Sequence, residues 1–341
     1  MKSKTSLWCL VMVALLLVPA CQKKAPGQLG GEGMLGLVPE GAMMLMGFDF
    51  QKFASLELFD KTLKENWQKN PKAGKVFKDY PDFVQQTGVD LQKDVYNIVV
   101  AVYGSIDEKN PDIAGLVNLK YDPDKLLAVL SKNKEIAAEE TYRGRTLYTL
   151  KDKGEEKDKE MRLAFLNKQV IAFGSLPSLK KVVDLEMKEG QSVLKTAALM
   201  KYVGKLDKKK MFWLAVGNIP EKMKRQPQGG MMPVDLSKAE AFTAVVDFKG
   251  KVLSGELRLI SMDEQGNKQI ADMLNGLKSL GAMGASKEPE LAQLLNGIQL
   301  GSAADHVHLT FSFPEELLQK LSAKSKAKGM MPPAAPEPFG Q

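Results

Sequence analysis

Apolar residues recur along the chain in two periods, and the alternation between those periods lays out an α+β protein. Ala42 to Phe50 (AMMLMGFDF) is a nearly continuous apolar run behind Pro39-Glu40-Gly41, which predicts a buried strand. Gln51 to Gln68 then places Phe53, Leu56, Phe59, Leu63 and Trp67 at helical spacing. Val95 to Tyr103 and Ile113 to Tyr121 are β-rich runs separated by turn residues, which predicts a hairpin. Asp122-Pro123-Asp124 supplies a cap and a first-turn proline for a short helix carrying Leu126, Leu127 and Leu130. Thr141 to Leu150, Met161 to Leu166 and Gln169 to Phe173 predict a meander, with the charged KDKGEEKDKE insert as a solvated hairpin tip. A helix over Pro177 to Lys188 closes the segment, with Leu179, Val182, Val183 and Leu185 near one face.

A similar order follows. Ser192 to Leu206 reads as a helical lead-in, Met211 to Gly217 as a buried strand, and Ala241 to Ile260 as a hairpin turning at Lys249-Gly250. Asp263 to Leu280 predicts a helix whose core-facing stripe is Ile270, Met273, Leu274, Leu277 and Leu280. A short helix over Leu291 to Ile298, strands over Ile298 to Ser302 and His306 to Phe313, and a helix opened by Pro314 complete the pattern. The expected fold is α+β, with two similar lobes over 38–205 and 206–322. Each lobe is an antiparallel sheet packed by amphipathic helices, and the recurrence is one of architecture rather than of residue identity.

The two ends read differently. Lys2 and Lys4 precede an apolar run from Leu7 to Val18, too short for a membrane span, which needs ~20 residues, and typical of a signal peptide over 1–20. Val18-Pro19-Ala20-Cys21 resembles the lipobox of bacterial lipoproteins, with a proline in place of the usual small or aliphatic residue at the second position. That resemblance implies that Cys21 is acylated, with palmitate-type chains, and becomes the new N-terminus. Gln22 rather than Asp follows it, which in the sorting rule of that family implies an outer-membrane destination where the cell has one. Residues 21–37 read as the lipidated Cys and a glycine-rich flexible tether, and 323–341 as a disordered Pro/Met tail.

The phrase VPEGAMMLMGFDF with its following amphipathic stretch, and GQSVLKTAALMKYVGKLDKKKMFWLAVG between the halves, resemble two-lobed bacterial envelope lipoproteins of uncharacterised function. The resemblance implies a cell-envelope protein with no catalytic residue to carry over. It rests on pattern, and the second half shows Val216-Gly217-Asn218 where that group has an Asp.

Candidate chemistry is sparse. His306 and His308 are the two histidines, and alternation along a strand puts both on one face, a geometry that offers two imidazoles to a metal without completing a site. Met231-Met232 and Met330-Met331 sit in repeated Gly-Met-Met-Pro phrases and read as adaptable contact residues, more than as a Cu(I) site. Met43, Met44 and Met46 read as core. Lys208-Lys209-Lys210, with Lys201 and Lys205, makes a local basic face of the solvated kind. No G-x-S-x-G and no G-x-x-x-x-G-K-[ST] occurs, which speaks against serine hydrolysis and P-loop nucleotide binding. The two cysteines are Cys9, inside the leader, and Cys21, so neither a disulfide framework nor a four-cysteine zinc site is expected. The formal charge of +7 falls to +5 without Lys2 and Lys4, a modest excess that gives no reason to expect a nucleic-acid partner.

The sequence therefore points to a non-enzymatic, membrane-anchored interaction or structural lipoprotein without a cofactor. Its expected partners are membrane lipid through Cys21 and another envelope protein. The alternative is a carrier for an apolar ligand held between the lobes. A carrier needs an enclosed apolar pocket of ~300 Å³ or more, whereas an interaction protein needs a filled core and an open apolar patch. One consequence is direct: Cys21→Ala should abolish incorporation of an alkyne-tagged fatty acid and move the protein from the detergent phase to the aqueous phase on Triton X-114 partition.

Overall fold

A computed structural model describes residues 31–57, 80–104, 111–151, 160–219, 236–285 and 288–327. They divide into two compact units, the first reaching Phe212 and the second starting at Trp213. Both are α+β.

In the first unit the strands are β1 (Met44–Asp49), β2 (Val95–Tyr103), β3 (Asp112–Leu119), β4 (Ile136–Tyr142), β5 (Arg145–Leu150), β6 (Arg162–Phe165) and β7 (Val170–Gly174). They pair antiparallel in the order β1-β2-β3-β7-β6-β5-β4. The helices are α1 (Gly31–Met34), α2 (Phe50–Phe53), α3 (Tyr80–Thr87), α4 (Leu91–Asp94), α5 (Pro123–Lys132), α6 (Leu176–Glu186) and α7 (Ala197–Val203). Local chemistry fixes several of their starts. The Asp122 carboxylate accepts from the amides of Asp124 and Lys125 with Pro123 in the first turn of α5, and Ser175 caps α6 through the Ser178 amide.

Register explains where the first core lies. The cross-strand row Gly47–Val99–Leu116–Ala172–Ala164–Leu147 runs over six strands on one face, and its side chains from Val99 to Leu147 are fully buried. Helix α6 packs over this face with Leu179, Val182 and Val183, each at 0% exposure. Burying such aliphatic side chains is worth ~1.5–3 kcal/mol each, so this layer carries the unit. The next row, Met46–Val100–Gly115–Phe173–Leu163–Tyr148, lies on the opposite face and is also apolar. There the Phe173 ring is laid across Gly115: a Cβ on Gly115 would stand 2.0 Å from the ring's Cζ.

In the second unit β8 (Phe212–Gly217), β9 (Ala239–Lys249), β10 (Val252–Ser261), β11 (Ile298–Ala303) and β12 (His306–Pro314) follow the order β8-β9-β10-β12-β11. The helices are α8 (Glu264–Gly284), α9 (Pro289–Asn296) and α10 (Glu315–Ala327). This is the order β1-β2-β3-β7-β6 of the first unit, each with a helix after its last strand. The row Val246–Gly255–Phe311–Ile298 repeats Val100–Gly115–Phe173–Leu163 in kind, again with an aromatic ring over a glycine. The two lobes are thus similar in topology and in one register position.

Several expectations shift on the structure. The stretch Thr141–Leu150 is not one strand but part of a hairpin, because Arg143 (φ 48°) and Gly144 (φ 76°) form a two-residue turn between β4 and β5. The β9–β10 turn is Gly250-Lys251, both at positive φ, one residue later than expected. The tether ends early: Met34 and Leu35 are buried in the first unit. The last helix runs to Ala327, past the start expected for the tail. Most of the helix expected over Gln51–Gln68 and the charged insert's interior lie outside the described residues; α2 itself ends at Phe53.

A glycine pair tests the packing. Gly255→Ala brings a Cβ to 2.6 Å from Phe311 Cζ and 2.7 Å from the Val245 carbonyl, so it should destabilise by about 1–3 kcal/mol in urea unfolding. Gly276→Ala, inside α8 with nothing within 4 Å, should stabilise by about 0.5–1 kcal/mol.

Candidate interaction surface

Helix α8 begins at Asp263, whose Oδ1 accepts from the Gly266 amide and whose Oδ2 pairs with Lys238 Nζ at 2.8 Å. Those two hydrogen bonds, with Lys238's charge, hold the Asp263 carboxyl below its usual range. One turn on, Asn267 is completely buried, and its Nδ2 donates to the carbonyls of Ser261 (2.9 Å), Ala303 (3.2 Å) and Ala304 (3.3 Å). Its Oδ1 is buried with no partner among the described residues. Farther along, Asn275 Nδ2 reaches the Leu300 carbonyl at 3.5 Å and Lys278 Nζ donates to the carbonyl of Ile298. These are backbone groups of β11, the edge strand of the second unit's sheet, and α8 lies along it. An edge strand presents unpaired N–H and C=O groups, and polar side chains from a covering helix satisfy part of that row.

The face that packs mixes polar and apolar residues: Asn267, Ala271, half-buried Leu274, Lys278 and then Gly281, which faces Leu295 of α9. The stripe expected to face the core lies beside it. Ile270, Met273 and Leu274 are half-buried, but Leu277 is 40% exposed, Leu280 66%, and Met283, one turn beyond, 75%. Leu291 of α9 is also exposed, at 38%. Past Asp272 the helix carries one charge, Lys278, and that is turned onto β11. The last three turns of α8 thus present an apolar, uncharged surface.

Lys324 of α10 pairs with Glu290 at the start of α9, and Lys320 adds its charge nearby. The Lys324 hydrogen bond, followed by Glu290's own amide, holds the Glu290 carboxyl below its ordinary range despite some burial cost.

His306 and His308 project from the same face of β12, as alternation requires, with ring centroids 5.4 Å apart. His306 Nδ1 meets Asp305 Oδ1 at 2.6 Å, the His308 ring lies over Gly301, and His308 Nδ1 is buried without a partner among the described residues. Among the described residues no group of three or more His, Cys, Asp or Glu is placed to hold a metal ion. Met43 is buried, while Met44 and Met46 are half-buried on β1. Cys21, Met231, Met232, Met330 and Met331 lie outside the described residues. Among the described residues no helix is long and apolar enough to cross a membrane. Sequence reasoning reached Leu277 and Leu280 but gave them to the core, and it stopped short of Met283. The signal was present in the scarcity of charge beyond Asp272, with Lys278 alone up to Gly284, where a helix facing solvent normally carries more.

No family model matches the chain, and no curated protein matches it. Among solved structures it is similar to three crystal forms of the Treponema protein TP0453. Form I shares 10% identity at a TM-score of 0.46, over 85% of this chain and 96% of that one. Form III shares 12% at 0.46 over 89% and 100%, and form IV 12% at 0.43 over 85% and 96%. Likeness at this level identifies neither a family nor an activity.

The two depressed carboxyls set a pH dependence. A carboxyl whose folded value lies below its unfolded one adds stability above the unfolded value, and that contribution is lost as pH falls through the folded one. Lys238→Ala and Lys324→Ala should therefore each flatten the acid limb of the thermal-melting profile below about pH 4.5 and change it little at pH 7.

Proposed function

We propose that this is a lipid-anchored envelope protein that works by contact rather than by catalysis. Cys21 holds it on the membrane, in the outer membrane where the cell has one, and the uncharged end of α8 with Leu291 of α9 is the surface it offers. The observation that carries the reading is that stripe: Leu277, Leu280 and Met283 stand open beside a helix face whose Asn275 and Lys278 bond to β11 and whose Asn267 bonds to the end of β10 and the β11–β12 turn. Exposed clusters of large apolar side chains on a folded unit mark contact sites. The filled inner face of the first sheet, with α6 seated over it, supports an ordinary self-sufficient core rather than a shortage of packing partners. The lipobox-like Val18-Pro19-Ala20-Cys21 and Gln22 support the location.

The test is recovery of the acylated protein from its own membranes beside a Cys21→Ala control, with co-purifying proteins and extracted small molecules identified together by mass spectrometry. A reproducible protein partner that disappears in the control is expected. An apolar small molecule retained equally by both forms would overturn the reading in favour of a carrier.

A further inference from the structure

The imidazole pair on β12 has no part in the contact surface, and its geometry suits a different ligand. We propose that His306 and His308 together bind a borderline divalent transition metal, Cu(II) ahead of Zn(II), as a two-nitrogen site. The site stands apart from the contact reading and does not depend on it.

Both side chains leave the same face of the strand, with ring centroids 5.4 Å apart and planes tilted by 48°. A nitrogen lies ~1.1 Å from the centre of an imidazole, so an ion ~2.1 Å from one nitrogen of each ring stands ~3.2 Å from both centroids. The 5.4 Å separation then subtends ~115° at the ion, close to tetrahedral. The rings are prepared for this in different ways. Asp305 Oδ1 meets His306 Nδ1 at 2.6 Å, the carboxylate–histidine arrangement that keeps the proton on Nδ1 and leaves the Nε2 lone pair for a metal. The His308 ring lies over Gly301, where a Cβ would stand 2.6 Å from its Nε2, and its Nδ1 is buried without a partner among the described residues. A buried ring nitrogen with nothing to bond costs stability, and an ion that takes its lone pair removes that cost. Arg258 stands opposite His308 on β10, but its guanidinium is held by Glu256 at 2.8 and 2.9 Å, which balances the charge that would repel a cation. Among the described residues no group of three His, Cys, Asp or Glu forms here, so water takes the remaining positions and binding is reversible, unlike that of a closed four-ligand centre. Neutral imidazole suits Cu(II) and Zn(II) rather than Mg(II) or Ca(II), and affinity along the first-row divalent ions peaks at Cu(II).

The experiment uses the full mature chain without a histidine tag and carrying Cys21→Ala, so that no thiol competes for the ion. Cu(II) is titrated by calorimetry with glycine as a competing chelator, and frozen samples of the Cu(II) form are read by electron paramagnetic resonance. The parent should bind one equivalent and show hyperfine coupling to two imidazole nitrogens, which in a chain with two histidines assigns the ligands without any substitution. Zn(II) should displace Cu(II) only in excess, and Mg(II) should not displace it. His306→Gln and His308→Gln should each remove one nitrogen coupling and weaken Cu(II) binding by about ten-fold or more. Asp305→Asn should keep both couplings and weaken binding by about 10–100-fold, the effect of losing the group that orients a ligand. The proposal is overturned if the parent binds no stoichiometric Cu(II), if its bound Cu(II) shows fewer than two imidazole couplings, or if both Gln variants bind as the parent does.

Discussion

The second unit is organised by the way one helix closes the edge of its sheet. Strand β11 leaves the Ile298 and Leu300 carbonyls to Lys278 and Asn275 of α8, and Asn267 at the other end of the helix ties it to the carbonyls of Ser261 at the end of β10 and of Ala303 and Ala304 at the β11–β12 turn. A buried amide that serves three carbonyls is costly to rotate away, because each abandoned group would lose its partner in a site closed to water. That constraint sets the rotation of α8 about its axis. Once Asn267 and Lys278 face the strand, the stripe through Leu277, Leu280 and Met283 must face elsewhere. The open apolar surface thus follows from the polar one.

The first unit solves the same problem differently. Its edge hairpin β4–β5 is tied to α6 by charge: Arg145 grips Glu186 with two hydrogen bonds of 2.9 and 2.7 Å, and Tyr142 and Arg143 both reach Asp184. Planar guanidinium–carboxylate pairs of this kind hold orientation as well as position. There α6 keeps its aliphatic face on the sheet, and Leu179, Val182 and Val183 are fully buried. The two lobes share strand order and the ring-over-glycine position, but α6 follows β7 and meets its sheet with an aliphatic face, whereas α8 lies between β10 and β11 and meets its sheet through Asn267, Asn275 and Lys278 as well. Among the described residues, α8 leaves Leu277, Leu280 and Met283 exposed.

Most of the fold was legible. Runs such as Val95–Tyr103 and Met211–Gly217 name their strands to within a residue, because β-rich stretches bounded by turn residues have few other uses, and Asp122-Pro123 and Asp263 mark helix starts by their capping chemistry. The hairpin inside Thr141–Leu150 was hidden because its first strand, Ile136–Tyr142, is rich in Ala and Glu, and its turn uses an arginine at positive φ where glycine or asparagine is usual. Met34 and Leu35 were hidden in a glycine-rich stretch whose composition says linker. The candidate surface was half legible. Periodicity finds an apolar stripe but gives no direction, and the direction of α8 is decided by Asn267 and Lys278, residue types that pattern reading assigns to solvent.

The claim on which this account turns is that the α8 stripe is open in the free protein because the polar face is committed to β11. Solvent paramagnetic relaxation of methyl groups tests it directly, with a soluble gadolinium chelate and selectively labelled Leu and Met. The account predicts strong enhancement at Leu277, Leu280 and Met283, with little at Leu199 and Leu317, both buried. Protection of the three α8 methyls to the level of those buried leucines would contradict it, since the helix would then be turned with its stripe inward and the Asn267 contacts broken.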